Sequence, residues 1–420
     1  MKVLWVSNSP IGPAASILGK EYSGTSGGWI QSEYEALDKN NVQMSFLCTS
    51  PTVKKNEIVH KKNEIGEVFC FKSPRPSMGI KNPQYLVRGI RKTIEEISPD
   101  IIQIWGTETC VSNIVSHCAP SIPKVIFMQG LIGIHEKYLG GYFNKDRKKY
   151  GGRRTPISWL KDCVRTRSFV RHVEVEKNTI KNCKNIIVDS NFVRDYCNAV
   201  GTEVKCFMYP LFPNKLFYDY SWSLDKCKRH SIFTVFGSNS EKGLHQLIKA
   251  LAIVKCKYPD VLLTVPGSYP LDANGKLAPS KNHSYYFALK KMMIKMGVED
   301  NVRFVGRLDA AGMAETMSSS HIFVNPSCME VHALSMRESM VQGIPCISTI
   351  CGGILDFLRH GDNGMIYRYE EYEILAGTIC RLFGDDELCK KISSKARVAL
   401  DLLNKDVSSL NQVYREILDD

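Results

Sequence analysis

The sequence predicts an α/β protein with two domains, each built on a doubly wound parallel sheet, that face each other across a cleft. Three observations support this prediction. The chain has 420 residues, which suits two domains of about 200 residues each better than one core. Short runs rich in Val and Ile alternate with amphipathic segments along its whole length. Within these runs apolar and polar residues barely alternate, as is typical of strands buried on both faces of a parallel sheet.

Eleven short apolar runs are the predicted strands. Six lie in the first half, at 3–7, 42–48, 101–105, 125–128, 186–189 and 204–209, and five in the second, at 232–236, 261–265, 302–305, 322–325 and 346–349. The segments between them have the length of crossover helices. One such helix is predicted over 241–257, with Leu244, Leu247 and Leu251 on one face. Repeated units of this kind form an open Rossmann-like sheet, here twice.

The predicted domain boundary lies near residues 210–230. Pro210 and Pro213 interrupt the pattern there, and the polar segment 225–230 follows. We therefore predict domains over 1–210 and 225–404, with a final helix over about 405–420 that can pack back on the first domain. Open α/β sheets bind ligands beyond the carboxyl ends of their strands. The cleft between the two sheets is accordingly the predicted active site.

Composition predicts a protein that stays in the cytoplasm. Apolar residues make up 44% of the chain, and no run approaches the roughly 18 apolar residues of a membrane span. The first residues are strand-like and too short for a signal peptide. The 15 cysteines are odd in number and contain no CxxC pair, which predicts reduced, structural thiols rather than disulfides or a metal site.

Positive charge is concentrated in one part of the chain. The formal net charge is +12, and residues 145–171 hold ten Lys and Arg against two Asp. A helix predicted over 156–172 places Arg165, Arg167 and Arg171 apart from an apolar side that includes Leu160 and Val164. Two interpretations stay open: a helix lying on an anionic membrane, or a solvated charged face held on the domain by its apolar stripe. No aromatic-interleaved RNA motif is present, so nucleic acid is not expected as a partner.

The most informative segment runs from residue 325 to 349. A strand leads through a loop into a helix predicted from about Ser335 to Gln342, which Gly343 ends as a C-cap. The free N–H groups at the start of such a helix suit a phosphate. Glu330 and Glu338 flank this helix start. On local pattern alone, Glu338 fits a capping box with Ser335, and Glu330 fits an exposed loop carboxylate.

The ordered pieces of this half resemble a known family. They are Lys242-Gly243, Pro326-Ser327, Glu330, Leu334, Glu338-Ser339-Met340, Gly343, Pro345 and Gly352-Gly353-Ile354-Leu355-Asp356. This set is similar to the signature of the retaining family-4 glycosyltransferases of bacterial surface-polysaccharide type, which have the two-domain glycosyltransferase-B fold. The resemblance covers nearly all of 230–400 and implies that this half holds a nucleotide-sugar donor.

The resemblance implies roles for individual residues. Glu338 would hold the donor ribose, Glu330 the donor sugar at the catalytic centre, and Lys242 the diphosphate. The turn and helix start at His332, Ala333, Leu334 and Ser335 would also contact the donor. Ser238 stands where the family often has a diphosphate-binding Arg, so Lys242 and the helix start must do more, or another Arg must substitute. Asp356 and Leu355 likewise replace the usual Glu and Pro, and Val331 and His332 the usual Gly and Phe.

The first half carries fewer site residues and would bind the acceptor. A glycine-rich segment that ends in Gly27 and Gly28 resembles the family's loop after the first strand. Gln129 follows a predicted strand where many relatives carry a His facing the reaction centre, and by the resemblance it is a catalytic candidate. It can form hydrogen bonds but cannot act as a base. Glu108 follows another strand end and is a second acceptor-side candidate. For both, an ordinary polar loop residue is the alternative.

Together these features predict a retaining transferase that moves a sugar from a nucleoside diphosphate to a glycan hydroxyl. By the resemblance, the favoured acceptor is a lipid-linked oligosaccharide of capsule or O-antigen assembly, and the enzyme would be peripheral on the inner face of the plasma membrane. We expect no cofactor and no metal, because no Asp-x-Asp motif lies in a strand-end loop. Two alternatives stay open: a synthase with a soluble sugar-phosphate acceptor, and a catalytically silent membrane-associated scaffold of the same fold.

Overall fold

The computed structural model describes residues 1–19, 28–40, 42–74, 82–150, 156–209, 211–235, 239–278, 284–404 and 409–420. The chain divides into two compact units. The first comprises Met1–Lys137, Leu160–Leu211 and Val407–Asp420, and the second comprises Tyr138–Trp159 and Phe212–Asp406. Each unit holds one sheet with helices around it.

The first half of the chain supplies eight strands within the described ranges. In chain order its elements are β1 Lys2–Val6, α1 Pro13–Ile17, α2 Gly28–Ala36, β2 Gln43–Ser50, β3 Ile58–Asn63, β4 Gly66–Lys72, α3 Gln84–Ile97, β5 Ile101–Trp105, α4 Cys110–His117, β6 Lys124–Phe127, α5 Ile132–His135, α6 Asn144–Lys149, α7 Pro156–Lys181, β7 Asn185–Val188, α8 Asn191–Val200 and β8 Lys205–Met208.

These strands form one sheet in the order β3-β4-β2-β1-β5-β6-β7-β8. All neighbours are parallel except the edge pair β3 and β4, which is an antiparallel hairpin. The central strand β1 pairs on both sides, so that Val3 lies opposite Met44 and Ile101. Helices cover both faces of such a sheet, and this explains why its central strands are apolar throughout.

The second half supplies six strands within the described ranges. In chain order its elements are β9 Lys228–Phe233, α9 Leu244–Lys257, β10 Leu262–Pro266, α10 Ser284–Lys295, β11 Val302–Gly306, α11 Ala310–Ser318, β12 Ser320–Asn325, α12 Leu334–Gln342, β13 Cys346–Thr349, β14 Met365–Tyr367, α13 Tyr372–Gly384, α14 Asp386–Asn404 and α15 Leu410–Asp419. A 3-10 helix, Ser240–Lys242, precedes α9.

The second sheet has the strand order β11-β10-β9-β12-β13-β14 and is parallel throughout. Its order reverses between β9 and β12, since the chain first moves outward to β10 and β11 and then returns. Ligands of open α/β sheets bind at such a switch point, beyond the carboxyl ends of the strands. The two segments that follow these strand ends are the 3-10 helix Ser240–Lys242 and the loop 326–333.

The predicted fold class is confirmed, and each of the eleven predicted strands is present. Three strands were missed. In β3 every side chain is exposed or nearly so, and its sequence Ile-Val-His-Lys-Lys-Asn carries no apolar run. Its partner β4 and the three-residue β14 are short runs that periodicity alone does not resolve. The segment Tyr138–Trp159, which the sequence placed with the first domain, belongs to the second unit.

The C-terminal helix α15 lies in the first unit, where Tyr414 reaches the middle of the sheet. The fully buried Tyr414 hydroxyl accepts a hydrogen bond from Trp5 Nε1 at 2.9 Å and donates to Gln103 Oε1. At the edge of the same helix, Asn411 Oδ1 accepts the Asp38 N–H at 3.0 Å. The two hydrogen bonds of Tyr414 connect α15 to the neighbouring strands β1 and β5, and that of Asn411 connects it to the residues after α2.

Two further predictions concern the state of the cysteines and membrane-spanning helices. The side chains of fourteen cysteines are described, all as free thiols, and most are buried. Among the helices so described, none combines the length and the apolar character needed to cross a membrane.

Candidate functional site

Two glycines hold the loop 326–333 in place at the switch point. Gly243 has φ +69°, and a Cβ built on it would lie 1.8 Å from the carbonyl oxygen of Pro326. Gly352 has φ +51°, and a Cβ there would lie 1.5 Å from the carbonyl oxygen of Glu330. Any other residue would clash at both positions and would also be strained at positive φ. The backbones after β9 and β13 can therefore rest directly on this loop.

Hydrogen bonds fix the same loop from both sides. The Cys328 N–H donates to the carbonyl of Glu241 at 2.9 Å. From the other side, Thr349 Oγ1 donates to the Ser327 carbonyl at 2.5 Å. The backbone preceding Glu330 is thus attached to the 3-10 helix that carries Lys242 and to the end of β13. The position of Glu330 relative to Lys242 is set by these backbone contacts rather than by side-chain packing alone.

Lys242 and Glu330 form an ion pair across this contact. Lys242 Nζ lies 2.5 Å from Glu330 Oε1, and the side chains are 34% and 17% exposed. Burial lowers the pKa of Lys242, but the Glu330 carboxylate outweighs it and the net shift is upward. The ammonium therefore stays charged at neutral pH. The structure brings together the two residues that the sequence predicted for the diphosphate and the sugar.

Helix α12 starts beside this pair without a side-chain cap. Its N-cap is Ala333, a left-handed residue with φ 45°, and the helix begins at Leu334, followed by Ser335. The first N–H groups of a helix have no partner inside it, and they carry the positive end of the helix dipole. The start of α12, with His332 in the preceding turn, has no side-chain cap, and the binding of an anion there stays a prediction.

The capping-box interpretation of Glu338 is wrong. It required Ser335 to be the N-cap and Glu338 the third residue of the helix. Instead the left-handed backbone at Ala333 starts the helix earlier, and the cap position has no side-chain hydrogen bond. At the other end the prediction is confirmed: Gly343 is the left-handed C-cap, with φ 76°.

Glu338 is an isolated carboxyl group. Its side chain is half-buried one turn into α12, and within the described ranges it has neither a hydrogen-bond nor an ionic partner. Burial alone raises its pKa from 4.5 to about 8. A carboxyl group held this way lacks the donors that would stabilise its charge. Hydroxyl groups of a ligand could supply them.

Residues 140–150 form a brace, here the segment that contacts α9 and the residues around Lys242 and Tyr369, which was not predicted from sequence. The Gly140 N–H donates to Glu241 Oε1 at 2.7 Å, and Tyr369 donates to the Gly141 carbonyl at 2.9 Å. Asp146 pairs with Lys249 on α9 at 2.5 Å, with both side chains largely buried. The brace lies far from its partners in sequence. In addition, its segment is rich in Lys and Arg, which predicts an exposed surface rather than buried contacts.

Several predicted residues lie where little can be said of them. Ser238 and Gly27 are outside the described residues. Gly28 is the first residue of α2. The Arg165 side chain is likewise not described. Asp356 closes the short 3-10 helix that begins at Gly352. Their predicted roles stay predictions.

In the first unit, Glu108 and Gln129 lie around one glycine. A Cβ on Gly106 would be 2.9 Å from Glu108 Oε2 and 3.3 Å from Gln129 Oε1. Glu108 Oε2 also accepts the Thr107 N–H at 2.9 Å. Gln129 Nε2 is buried and has no hydrogen-bond partner among the described residues. The structure thus brings the two predicted acceptor-side residues together at adjacent strand ends.

The apolar side of α7 is not packed on the domain where it was expected to be. Leu160 is 57% exposed and Val164 is 59% exposed, and Arg167 and Arg171 are also exposed. Their spacing of four, three and four residues puts all four on one face of the helix, so the prediction that Arg167 and Arg171 lie apart from the apolar side is wrong. The interpretation of a charged face held down by this apolar stripe is therefore wrong for these residues.

Comparison with known proteins identifies the C-terminal part of the chain. Residues 224–399 match the family model of glycosyl transferases group 1. N-acetyl-alpha-D-glucosaminyl L-malate synthase of Bacillus anthracis is 28% identical over 138 residues, which cover 32% of this chain and 36% of that protein. The chain aligns with less than half the length of this and similar curated relatives.

Solved structures match the whole chain. Sucrose-phosphate synthase of Thermosynechococcus elongatus superposes with a TM-score of 0.73 at 16% identity, covering 100% of this chain and 99% of that one. HepE of Anabaena, solved in complex with UDP, superposes with a TM-score of 0.64 at 16% identity, over 100% of this chain and 99% of its own. The predicted glycosyltransferase-B fold and the predicted relation to glycosyltransferases are confirmed.

The lone carboxyl group makes stability depend on pH. In the folded state Glu338 has a pKa of about 8 against 4.5 ordinarily, so the fold favours its protonated form and loses stability as pH rises from about 4.5 to 8. Glu338→Gln removes this loss. We expect the variant to melt close to wild type at pH 5 and several degrees higher at pH 8.5, since each kcal/mol shifts Tm by about 2–4 °C in a domain of this size.

Melting temperatures across pH 5–9 check this expectation. The same substitution at the exposed Glu370 serves as the control and should not change the pH profile. Parallel profiles for wild type and Glu338→Gln would show that burial does not penalise this carboxylate.

The glycine contact can be tested with a matched pair of substitutions. Gly243→Ala and Gly275→Ala both place a Cβ at positive φ, +69° and +70°, but only Gly243 has an atom in the way. The backbone strain is about the same in both, so the difference in free energy of unfolding reports the contact with the Pro326 carbonyl. We expect Gly243→Ala to be the more destabilising by about 1–3 kcal/mol, as for overpacking.

Urea denaturation of both variants measures this difference. Equal destabilisation would mean that the loop 326–333 moves away from Gly243 at little cost.

Proposed function

We propose that this chain, whose residues 224–399 are a group 1 glycosyl transferase domain, moves a sugar from a nucleoside diphosphate to a glycan hydroxyl with retention of configuration. The observation that carries the proposal is the pairing of Lys242 with Glu330 beside the uncapped start of α12. Each group matches one part of such a donor. The favoured acceptor is a lipid-linked oligosaccharide of surface-polysaccharide assembly.

The diphosphate is the leaving group, and its charge must be stabilised as the sugar departs. Lys242 supplies a charged ammonium, and α12, whose start has no side-chain cap, begins four residues after Glu330, the partner of Lys242. Donors fixed before the reaction stabilise developing charge without reorganisation. In the free protein the Lys242 ammonium is paired with the Glu330 carboxylate. When a diphosphate binds, it replaces Glu330 as the anionic partner of the lysine.

That exchange frees Glu330 for the sugar. Its carboxylate can then accept hydrogen bonds from sugar hydroxyls and stabilise positive charge on the ring as the bond to the diphosphate breaks. Glu338 has the environment expected of a ribose ligand, because two hydroxyl donors would favour its ionised form. At neutral pH its carboxyl group is protonated in the free protein, so this contact requires release of a proton.

We further propose that the reaction needs no metal. Among the described residues, no cluster of three or more His, Cys, Asp or Glu could hold an ion. Lys242 and the helix start offer the positive charge that a metal would otherwise supply. UDP is the natural first ligand to test, since HepE of Anabaena was solved with it.

The acceptor side favours a neutral sugar over a sugar phosphate. Glu108 and Gln129 offer a carboxylate and an amide at the ends of β5 and β6, and both suit hydroxyl groups. A phosphate would be repelled by the carboxylate. The name of one structural neighbour, sucrose-phosphate synthase, is consistent with the alternative of a soluble sugar-phosphate acceptor. A phosphate, however, would need cationic side chains, whereas Glu108 is an anion.

A lipid-linked acceptor agrees with the exposed face of α7. Leu160 and Val164 precede Arg167 and Arg171 on that face. Apolar side chains can enter the boundary between headgroups and acyl chains, while the arginines meet anionic lipid. We propose that this face binds the membrane and brings the enzyme to its acceptor. A silent scaffold would share this face, but it would not release UDP from a UDP-sugar.

Four variants test the donor site. Lys242→Ala should weaken UDP binding about tenfold to hundredfold, the cost of a lost charge-assisted hydrogen bond. Glu330→Gln should bind UDP as tightly as wild type or more tightly, because Lys242 is no longer occupied, but should lose turnover. Wild-type affinity should rise with pH toward 8, and Glu338→Gln should flatten that rise. Lys255→Ala, at the far end of α9, is the control.

Calorimetry with UDP and UDP release from a panel of UDP-sugars measure these effects. Undiminished affinity in Lys242→Ala would remove the diphosphate assignment, and full turnover in Glu330→Gln would remove the transferase mechanism. The titrations should give the same affinity in EDTA. A loss restored by Mg²⁺ would instead place a metal at the diphosphate.

The membrane proposal is tested by charge reversal on α7. Replacing Arg167 and Arg171 by Glu should weaken binding to anionic vesicles by at least about tenfold, since each basic residue contributes about 1 kcal/mol at such a surface. Reversing Lys177 and Lys181, which lie further along the helix, is the control and should have a smaller effect. Added salt should release the wild-type protein.

Co-sedimentation with vesicles of phosphatidylglycerol and phosphatidylcholine gives the measurement. Equal binding to vesicles of phosphatidylcholine alone, or no loss in the reversed variant, would contradict the electrostatic part of the proposal.

A further inference from the structure

Glu176 is a buried carboxylate that none of the preceding roles uses. It lies on α7 in the first unit and is 0% exposed. Its Oε2 accepts the Ile132 N–H at 2.7 Å and the Thr107 hydroxyl at 3.4 Å. Its Oε1 accepts the Gly133 N–H at 3.0 Å and the Tyr196 hydroxyl at 2.6 Å. One side chain thus receives four hydrogen bonds.

All four partners donate toward this group, and its two oxygens have the capacity to accept from all of them. Burial raises the pKa of Glu176, while the Tyr196 hydroxyl and the two backbone N–H groups oppose that shift. The hydrogen bonds reduce the effect of burial but do not cancel it, and the net shift of the pKa is upward. If Gln replaced Glu176, its side-chain NH2 would face the backbone N–H of either Ile132 or Gly133, and that N–H would lose its acceptor.

Three of the four donors come from the two loops that carry the acceptor-side residues, and the fourth, Tyr196, lies on α8. Thr107 stands next to Glu108 in the loop after β5, and Ile132 and Gly133 begin α5 three residues after Gln129. Gly133 leaves room for the Tyr196 hydroxyl, because a Cβ at this position would lie 2.3 Å from it. Glu176 therefore joins two loops that no hydrogen bond of a regular strand or helix connects.

We infer that Glu176 is a positioning residue for the acceptor: its carboxylate fixes the loops after β5 and β6 so that Glu108 and Gln129 face one sugar hydroxyl together. The inference rests on the proposed function, since it assumes that these two residues meet an acceptor. Glu176 itself is buried and touches no substrate. It also lies on α7, five residues beyond Arg171, so the same helix carries the membrane-facing side chains and the group that shapes the loops.

Glu176→Gln is the decisive variant. In either orientation its amide breaks one backbone hydrogen bond, at Ile132 or at Gly133. Hydrogen exchange in a peptide covering 129–135 should become about tenfold faster or more, the effect of losing a hydrogen bond to a charged group. A peptide covering 244–257 should not change. Glu174→Gln, the same substitution at an exposed position of the same helix, should leave both peptides as in wild type.

Two functional readouts separate positioning from general damage. UDP affinity should stay within twofold of wild type in Glu176→Gln. UDP release from UDP-sugars that depends on an added bacterial lipid extract should fall about tenfold, because the acceptor residues are no longer held. Tyr196→Phe keeps both backbone hydrogen bonds, so it should speed exchange less and retain more of the transfer.

The outcomes distinguish this inference from the proposed function. If wild type itself transfers no sugar, the proposed function fails, and the exchange data still report whether Glu176 fixes the loops. Unchanged exchange at 129–135 in Glu176→Gln overturns the inference, as does a loss of UDP affinity as large as the loss of transfer. Should Glu176→Gln not fold, Tyr196→Phe decides: wild-type exchange and wild-type transfer together would overturn the inference.

Discussion

The contact of two glycines with one loop is the constraint on which the second unit's site depends. Gly243 and Gly352 bring the backbones after β9 and β13 against the carbonyls of Pro326 and Glu330. Only this approach allows the Lys242 ammonium to reach Glu330 and places both beside the open start of α12. A side chain at either glycine would separate the strand ends and the charged groups they carry.

A site arranged in this way costs stability in the free protein. Lys242 and Glu330 are largely removed from water, and Glu338 has no partner in the described structure. Buried charge and unmatched carboxyl groups are tolerated where function requires them. A nucleoside diphosphate sugar would satisfy all three groups at once. The first unit solves a similar problem differently, since Glu176 receives four hydrogen bonds from the protein itself.

The pieces predicted from sequence are those set by local pattern. The buried strands of both sheets follow from apolar runs, and the end of α12 follows from Gly343, because only a left-handed residue closes that helix. The start of the same helix was predicted wrongly. Ser335 and Glu338 match a capping box letter by letter, yet Ala333 adopts a left-handed backbone that the pattern does not encode. The loop that leads to Ala333 is held between Gly243 and Gly352, and no local rule contains that long-range contact.

The sequence by itself determined that the chain is a two-sheet α/β protein and which half holds the glycosyltransferase motifs, because burial period and glycine placement are written in neighbouring residues. Only the tertiary structure decided how distant residues meet. It moved Tyr138–Trp159 to the second unit, exposed Leu160 and Val164 on α7, and placed Glu176 against two loops some 40 and 70 positions away. Such contacts depend on which surfaces the folded sheets leave for each side chain. That is a property of the packed whole, and no window of sequence contains it.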